Sequence, residues 1–313
     1  MNSYWIVLLV IVGTALLCTL WIFLLAYIGM RSVCFFKGRT REKCIAYDTT
    51  HGLYTKEEYE ELSRTGEHFT VKSPYGYDIK ALRLLCGNVP ADRVVIIVHG
   101  FGCHMYTSVK YVRVFRELGY DCIIYDHRYH GESGGDFCTL SGLETDDLMA
   151  VVEAVGKMYP DGTNIGLHGE SMGAATVMNV LARDFPFAFC VADCGYASAA
   201  EELRYLTRRY TFLFRKPVYR LMLGLIQKKT GVDFEGVAPI QAVSSEQAAQ
   251  IPVLFIHGEA DRFVPFDNVQ RLYEAKKGVK ALYTVSGARH AESLKRNPEE
   301  YKERVRAFCS VNQ

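Results

Sequence analysis

The chain has 313 residues, with 36 Lys and Arg against 35 Asp and Glu, and 49% of its residues are apolar. This composition excludes a low-complexity disordered chain, a collagen-like chain and a small disulfide scaffold. The formal net charge of +1 argues against a strongly basic binding protein, so we expect no nucleic-acid partner. Residues 1–30 contain no Lys, Arg, Asp or Glu, and the rest of the chain suffices for one large domain or two small ones.

The run from Tyr4 to Met30 is long and apolar enough to cross a membrane with some tilt. A cleaved signal peptide is the alternative, but it would need a basic N-terminal region and a shorter apolar stretch. Five basic residues follow the run between positions 31 and 43, and none precedes it. The positive-inside rule therefore predicts a single-pass anchor over residues 1–30 in the cell membrane, with the remainder in the cytoplasm. The ten scattered cysteines include no C-x-x-C pair, which fits a reducing compartment and argues against a zinc site.

Residues 31–65 are predicted to form a membrane-proximal connector. The stretch is polar and mostly irregular in pattern. Thr55 and Glu58 have the spacing of a capping box, which predicts a short helix near 56–64.

Apolar runs and helical patterns alternate over the rest of the chain. Several of the runs are continuous, as expected for strands of a sheet that is covered on both faces. The predicted strands are 67–72, 78–86, 93–98, 121–126, 164–169, 187–193, 252–258 and 280–285. The predicted helices are one that follows a capping box of Ser141 and Glu144, and those at 172–183, 266–276 and 297–309. This alternation predicts a mostly parallel α/β sheet flanked by helices, with ligand sites at the carboxyl ends of its strands.

The sequence contains two G-x-S-x-G matches, one centred on Ser171 and the other on Ser133. A nucleophile elbow requires a strand, a sharp turn and a helix around the serine. Ser171 follows a predicted strand and precedes the helical pattern at 172–183, whereas Ser133 precedes a Gly-Gly-Asp turn. Ser171 is therefore the candidate nucleophile.

A serine hydroxyl needs a base, and the base needs an orienting carboxylate. Around a nucleophile elbow the chain order is serine, acid, histidine. Asp261 follows the last predicted strand but one, and His290 follows the last one. These two residues are the candidate acid and base, with Glu259 and Asp193 as alternative acids.

The same chemistry needs backbone amides that stabilise an oxyanion. One candidate is the amide of Met172, which directly follows the serine. The second should come from the His-Gly-Phe-Gly loop at 99–102, where the amide of Phe101 is favoured over that of Gly102.

Five motifs in the correct order resemble those of the α/β-hydrolase-fold serine hydrolases, a broad bacterial group of esterases, lipase-like enzymes and some serine peptidases. The motifs are HGFG (99–102), YDHRYHGESGG (125–135), GESMG (169–173), GEADRFVP (258–265) and GARHAES (287–293). The resemblance implies an α/β-hydrolase domain over 66–313, a triad of Ser171, His290 and Asp261, no cofactor and no metal. It also implies that the segment around Asp126, Arg128, His130 and Ser133 is structural. The serine at position 171 speaks against the dehalogenases and epoxide hydrolases of the same fold, which use an aspartate nucleophile.

A long insert lies between the strand that ends at Asp193 and the one that begins near Pro252. The resemblance implies that this insert, at about 196–248, is a helical cap. Residues 204–229 contain eight basic residues and no acidic ones, with apolar residues between them. One interpretation is a solvated cap that covers the site. The other is a basic amphipathic surface that lies on the anionic inner leaflet of the membrane.

The leading hypothesis is hydrolysis of a carboxylic ester or thioester, with a small-molecule or lipid-like acyl substrate, through an acyl-enzyme at Ser171. The alternative is a serine aminopeptidase, which would need an acidic group in the cap to hold the substrate amine. Only Glu201 and Glu202, just before the basic stretch, offer one. A third hypothesis is a membrane-tethered binding protein without catalytic activity. The fold itself does not select the substrate.

Overall fold

The computed structural model describes residues 3–87 and 92–311. Its strands are β1 (Glu67–Lys72), β2 (Asp78–Leu84), β3 (Arg93–Val98), β4 (Asp121–Tyr125), β5 (Asn164–Glu170), β6 (Phe189–Asp193), β7 (Val253–Gly258) and β8 (Lys280–Val285). They form one sheet in the order β1-β2-β4-β3-β5-β6-β7-β8. The β1–β2 and β2–β4 pairs are antiparallel and the other neighbours are parallel. The predicted mostly parallel α/β sheet is therefore confirmed.

The helices precede, connect and cover these strands. They are α1 (Ser3–Cys34), α2 (Arg41–Thr50), α3 (Lys56–Thr65), α4 (Val109–Arg116), α5 (Glu144–Gly156), α6 (Met172–Val180), α7 (Ala199–Tyr210), α8 (Arg215–Thr230), α9 (Pro239–Val243), α10 (Glu246–Ala249), α11 (Asp267–Ala275), α12 (Ser293–Arg296) and α13 (Pro298–Val311). Helices α7 to α10 lie between β6 and β7 in the chain, where the sequence places the insert.

The sheet is buried on both faces, as its central strand β3 illustrates. Successive strand side chains point to opposite faces. Val94, Ile96 and Val98 belong to the apolar cluster on one face, and Val95 and Ile97 belong to the cluster on the other. A strand with two covered faces is apolar at every position, which explains why the runs in the sequence are continuous.

Helix α1 is, among the described residues, the one helix long and apolar enough to cross a membrane. Its first turns are exposed, whereas Ala26, Met30 and Cys34 are buried near its end. This end packs against α8 of the insert. The two helices approach so closely that a Cβ at Gly29 would lie 2.6 Å from the Met222 sulfur. The helix is thus continuous from its exposed part into the packed body of the molecule.

Residues 31–65 are more regular than the sequence predicted. The capping box at the start of α3 is confirmed, because the Thr55 hydroxyl accepts from the Glu58 amide and the Glu58 carboxylate accepts from the Thr55 amide. Helix α2 was not predicted. In α2 only Cys44 and Asp48, one turn apart, are buried, so its sequence carries almost no apolar periodicity.

The predicted capping box of Ser141 and Glu144 is wrong. Glu144 is the first residue of α5, but its carboxylate accepts from the amide and hydroxyl of Thr139, at 2.7 and 2.5 Å. The reason is the turn before the helix, where Leu140 and Ser141 both have a positive φ. That turn brings Thr139, rather than Ser141, over the first turn of the helix.

Helix α6 packs unusually close to strand β3. A Cβ at Gly173, in the first turn of α6, would lie 2.1 Å from the carbonyl oxygen of Val98. No side chain fits this space, and the obstructing atom belongs to the backbone of a central strand. Glycine at position 173 therefore sets the distance between this helix and the sheet.

We expect Gly173→Ala to lower the free energy of unfolding by about 2 kcal/mol or more, because the β3 backbone cannot move aside. Thermal unfolding of the purified variant measures this as a lower Tm. Gly156→Ala is the matched control, since nothing lies within 4 Å of its added Cβ. This control should keep or slightly raise the Tm. Equal Tm values for both variants would contradict the close approach.

Candidate active site

Ser171 lies at the sharp turn between β5 and α6, at the carboxyl edge of the sheet. Its backbone has φ 57° and ψ −116°, a conformation that residues other than glycine rarely adopt. The Ser171 amide donates to the carbonyl oxygen of Asp193 at 2.8 Å, which holds the turn. A Cβ at Gly169 would lie 2.3 Å from the carbonyl oxygen of Gly173, so the turn requires glycine there. The predicted strand, sharp turn and helix are all present around Ser171.

The structure brings Ser171, His290 and Asp261 together in one line of hydrogen bonds. The Ser171 Oγ lies 2.8 Å from Nε2 of His290. The other ring nitrogen of His290, Nδ1, lies 2.7 Å from Oδ2 of Asp261. A carboxylate that orients a histidine beside a serine hydroxyl is the arrangement that activates serine as a nucleophile. The three side chains come from the loops after β5, β7 and β8, which meet at one edge because these strands are parallel.

The loop after β7 holds Asp261 as a carboxylate. Its Oδ1 accepts from the amides of Phe263 and Val264, at 2.8 and 3.0 Å. His257 Nε2 also lies 3.3 Å from Oδ2 of Asp261. Burial acts to raise the pKa of Asp261, but the hydrogen bonds and charges of His257 and His290 outweigh it and hold this pKa below its ordinary value. His257 was not predicted from the sequence as a partner of the acid.

The two alternative acids do not contact His290. Glu259 accepts a hydrogen bond from the Thr284 hydroxyl at 2.9 Å. The carboxylate of Asp193 is fully buried and accepts from Ser293 and Tyr111, at 3.2 and 3.4 Å. Of the three acids considered from the sequence, only Asp261 lies against the histidine.

Ser133, the serine of the second motif, is bound within its own loop. Its Oγ accepts from the amide of Lys80 at 2.9 Å and donates to the carbonyl oxygen of Asp126 at 2.7 Å. The Asp126 carboxylate in turn accepts from the amides of Met105 and Glu132. These contacts tie the loop to its neighbours and leave the Ser133 hydroxyl without a base, which agrees with a structural role.

The loop at 99–102 lies directly beside Ser171. A Cβ at Gly100 would lie 3.3 Å from the Ser171 Cβ. His130 donates from Nδ1 to the carbonyl oxygen of Arg128 at 2.8 Å, so its Nε2 is free to accept from the Gly102 amide at 3.0 Å. The Gly102 amide is therefore occupied, which favours Phe101 as the oxyanion donor from this loop.

A cavity of about 320 Å³ opens over Ser171 and His290. Its lining combines aromatic rings with charged groups, the rings being those of Phe36, Tyr47, Phe101 and Phe263 and the charged groups those of Arg39, Asp48, Lys110 and Glu170. Apart from the backbone of Phe101, none of these residues was predicted from the sequence to belong to the site.

One wall of this cavity comes from the connector that follows α1. The Phe36 ring packs on the Phe101 ring, with centroids 5.8 Å apart. The amide of Arg39 donates to the carbonyl oxygen of Gly102 at 2.9 Å. The guanidinium of Arg39 lies over the ring of Tyr47 in α2. The connector therefore fixes the outer side of the 99–102 loop and forms part of the site.

A buried charge network lies next to the serine. Glu170, the residue before Ser171, forms an ion pair with Lys110 and accepts from the Tyr111 hydroxyl. Asp48 of α2 is also buried beside this pair. Burial, the largest influence, raises the pKa of Asp48 to about 6, although the charge of Lys110 opposes this. Within the described part of the chain, Glu170 forms an ion pair and Asp48 does not.

Cys194, Asp261 and His290 have possible metal-ligand atoms within 4.8 Å of one another. Asp261 and His290 already bind each other, and His290 binds Ser171. Burial raises the pKa of the Cys194 thiol well above its ordinary value, which disfavours the thiolate that a metal would need. The donor set thus fits the serine arrangement better than a metal centre.

Two family models match the chain, "Serine aminopeptidase, S33" over residues 89–192 and "Dienelactone hydrolase family" over residues 222–309. The Bacillus subtilis protein YqkD is 34% identical over 278 residues, which cover 88% of this chain and 89% of YqkD.

Solved structures of hydrolases share the fold. The esterase Pf2001 of Pyrococcus furiosus superposes with a TM-score of 0.65 at 24% identity, over 80% of this chain and 94% of the esterase. Est1E of Butyrivibrio proteoclasticus, solved with ferulic acid, superposes with a TM-score of 0.60 at 21% identity, over 78% and 98% of the two chains. Together with the elbow at Ser171, these similarities establish that the chain belongs to the α/β-hydrolase family and is a hydrolase of the serine type.

Proposed function

We propose that the protein hydrolyses carboxylic esters or thioesters with a medium or long acyl chain, through an acyl-enzyme at Ser171. The observation that carries this proposal is the hydrogen-bonded line of Ser171, His290 and Asp261 at the floor of a partly aromatic cavity. Both family models that match the chain describe hydrolases, which argues against a binding protein without catalytic activity.

In the first half of the proposed reaction, His290 removes the proton from the Ser171 hydroxyl while the oxygen attacks the carbonyl carbon of the substrate. The tetrahedral oxyanion is stabilised by the amides of Phe101 and Met172. Asp261 keeps the proton of His290 on Nδ1 and stabilises the imidazolium. The imidazolium then protonates the leaving oxygen or sulfur as the bond to it breaks, which leaves the acyl group on Ser171.

In the second half, His290 removes a proton from water while the water oxygen attacks the acyl carbon. The same amides stabilise the second oxyanion. His290 returns its proton to Ser171 as the ester bond breaks and the carboxylic acid leaves. No further group is needed to balance this cycle.

The cavity lining favours an acyl substrate. Phe36, Phe101 and Phe263 present apolar surface beside the serine, and the Phe263 ring lies 5.0 Å from the ring of His290. Apolar lining with a few fixed polar groups is typical of sites that bind mainly apolar ligands. The esterases Pf2001 and Est1E, which share the fold, agree with this choice.

An aminopeptidase is the second candidate, and one observation favours it. Asp48 lies in the cavity wall and could bind the substrate amine, whereas Glu170 is already paired with Lys110. The acids considered from the sequence do not line this cavity: Glu201 pairs with Arg271 at 2.7 Å, and Glu202 faces a separate cavity. Aminoacyl p-nitroanilides, compared with p-nitrophenyl esters on the same preparation, separate the two activities.

We also propose that α1 anchors the protein in the cell membrane and that the catalytic domain faces the cytoplasm. The length and hydropathy of α1 support the anchor. The packing of its last turns against α8 supports an uncleaved helix, because cleavage of a signal peptide would remove a packed element. The basic residues that follow α1 support the proposed orientation.

Ser171→Ala should abolish covalent labelling by a fluorophosphonate probe and lower ester hydrolysis at least about 10³-fold, because the attacking oxygen is lost. Gel fluorescence and p-nitrophenyl ester turnover measure the two effects. Ser133→Ala is the control and should keep its labelling per folded molecule, although loss of its buried hydrogen bonds lowers stability by about 1–3 kcal/mol. Labelling that persists in the Ser171 variant would refute the assignment.

Asp261→Asn should lower kcat/KM by about 10³–10⁴-fold, because an amide neither stabilises the imidazolium nor fixes the same tautomer of His290. Steady-state kinetics with a short ester measure this. Glu259→Gln removes a carboxylate from the same loop that contacts Thr284 instead of the histidine, so its kcat/KM should stay near that of the unmodified protein. Similar losses in both variants would argue against Asp261 as the acid.

Phe36→Ala should lower kcat/KM for an octanoate ester by roughly fivefold relative to an acetate ester, because about 1 kcal/mol of apolar contact with the chain is lost. A p-nitrophenyl ester series of increasing chain length measures the selectivity. Phe35→Ala is the neighbouring control, since that ring packs on Phe137 at 6.3 Å between centroids and does not line the cavity. A chain-length profile that is unchanged by Phe36→Ala would contradict an acyl site on this wall.

A further inference from the structure

The tip of the α7–α8 hairpin exposes three large apolar side chains within four residues. Tyr210 is 72% exposed, Phe212 85% and Leu213 61%. Phe214, which ends the tip, has a φ of 59°, so the chain turns sharply there into α8. A contiguous exposed apolar group of this kind marks an interaction surface more often than it marks ordinary protein surface.

Cationic side chains lie beside this tip. A cavity of about 200 Å³ is lined by Arg204, Arg208, Arg215, Lys216, Tyr219 and Arg220. The Arg215 guanidinium lies over the Phe212 ring, 5.8 Å from its centroid, so a cation and an exposed aromatic ring are adjacent. Apolar and cationic groups side by side complement the acyl chains and the phosphates of an anionic bilayer.

The hairpin is oriented along α1. The carbonyl oxygen of Cys34, at the end of α1, accepts from the Cys138 amide at 2.8 Å. Val232, two residues beyond α8, contacts the same segment, because a Cβ at Gly142 would lie 3.0 Å from its Cγ1. The carboxyl-terminal ends of both helices therefore lie beside residues 138–142, so the two helices run in the same direction.

The contact between Gly29 and Met222 sets the register of the two helices. The start of α8 at Arg215 lies seven residues before Met222, or roughly 10 Å along the helix axis. Arg215 is therefore level with about residue 22 of α1. Residues 3–22 extend about 30 Å beyond that level, which is the thickness of a hydrocarbon core. The exposed tip thus lies at the height where α1 would leave the bilayer.

We propose that the tip Tyr210–Phe214 docks into the anionic phospholipid bilayer that α1 crosses, with lipid phosphates bound by the cationic cavity beside it. This inference rests on the anchoring of α1 proposed above. The contact with the membrane is then made by one apolar tip and one headgroup site, and not by the basic surface of the cap as a whole.

The hairpin that carries the tip also contacts a loop of the active site. The Tyr205 hydroxyl and the Arg209 guanidinium both donate to the carbonyl oxygen of Arg262, each at 2.9 Å. Arg262 follows Asp261 and precedes Phe263, which lines the cavity. The hairpin therefore links the bilayer surface to the loop that carries the acid.

The test uses the full chain with Trp5→Phe and Trp21→Phe, so that Phe212→Trp supplies the single fluorophore. The protein is reconstituted into phosphatidylcholine vesicles, or into vesicles of phosphatidylcholine and phosphatidylglycerol at three to one. We expect a blue shift of the tryptophan emission in the anionic vesicles, together with quenching by brominated acyl chains. A tryptophan that stays accessible to iodide in vesicle-bound protein would overturn the proposal.

Charge reversal tests the headgroup site. The pair Arg208→Glu and Arg215→Glu should remove the quenching, whereas the control pair Lys295→Glu and Arg306→Glu, with the same change in charge, should keep it. Equal quenching in neutral and anionic vesicles, unaffected by the first pair, would overturn the lipid phosphate assignment. Flotation and fluorophosphonate labelling of the same samples report separately on the anchor and on the serine chemistry.

Discussion

The close packing of helix α6 on strands β3 and β5 is the constraint on which the site depends. Gly169 and Gly173 leave no room for a side chain, so the chain passes from strand to helix through the strained backbone of Ser171. Strain of this kind amounts to about 1–3 kcal/mol and persists only where the surroundings enforce it. The same approach brings the 99–102 loop beside the serine, and the parallel sheet delivers His290 and Asp261 to that edge.

The sequence was sufficient to predict the sheet and to nominate Ser171, His290 and Asp261 as candidates, because the strands and the motifs are local patterns read in order. A doubly covered strand is recognisable from one continuous apolar run, and the elbow occupies five consecutive residues. The choice of Asp261 over the alternative acids Glu259 and Asp193 depended on its position after a predicted strand. The decisive contact between Asp261 and His290 spans 29 residues, so the sequence supplied the candidates and the fold supplied the pairing.

The wrong prediction at Glu144 and the unpredicted positions of His257 and Asp48 each have a physical reason. Glu144 binds Thr139 because two positive-φ residues reverse the chain between them, and no spacing rule anticipates that turn. His257 is the penultimate residue of a buried strand, where packing is the usual role, yet its ring reaches Asp261. Asp48 belongs to a helix with almost no apolar periodicity and lies near Glu170 only after the connector folds onto the domain.

The continuity between α1 and the cavity wall has a practical consequence for protein production. Soluble versions of anchored proteins are commonly made by starting the chain after the apolar helix. Here a start at about residue 38 would remove Phe36 from the Phe101 ring, together with the Cys34 carbonyl that binds the Cys138 amide. Such a truncated protein would keep Ser171, His290 and Asp261 but present substrates with a wider, less apolar entrance. The substrate preference measured on the truncated protein would therefore differ from that of the full chain.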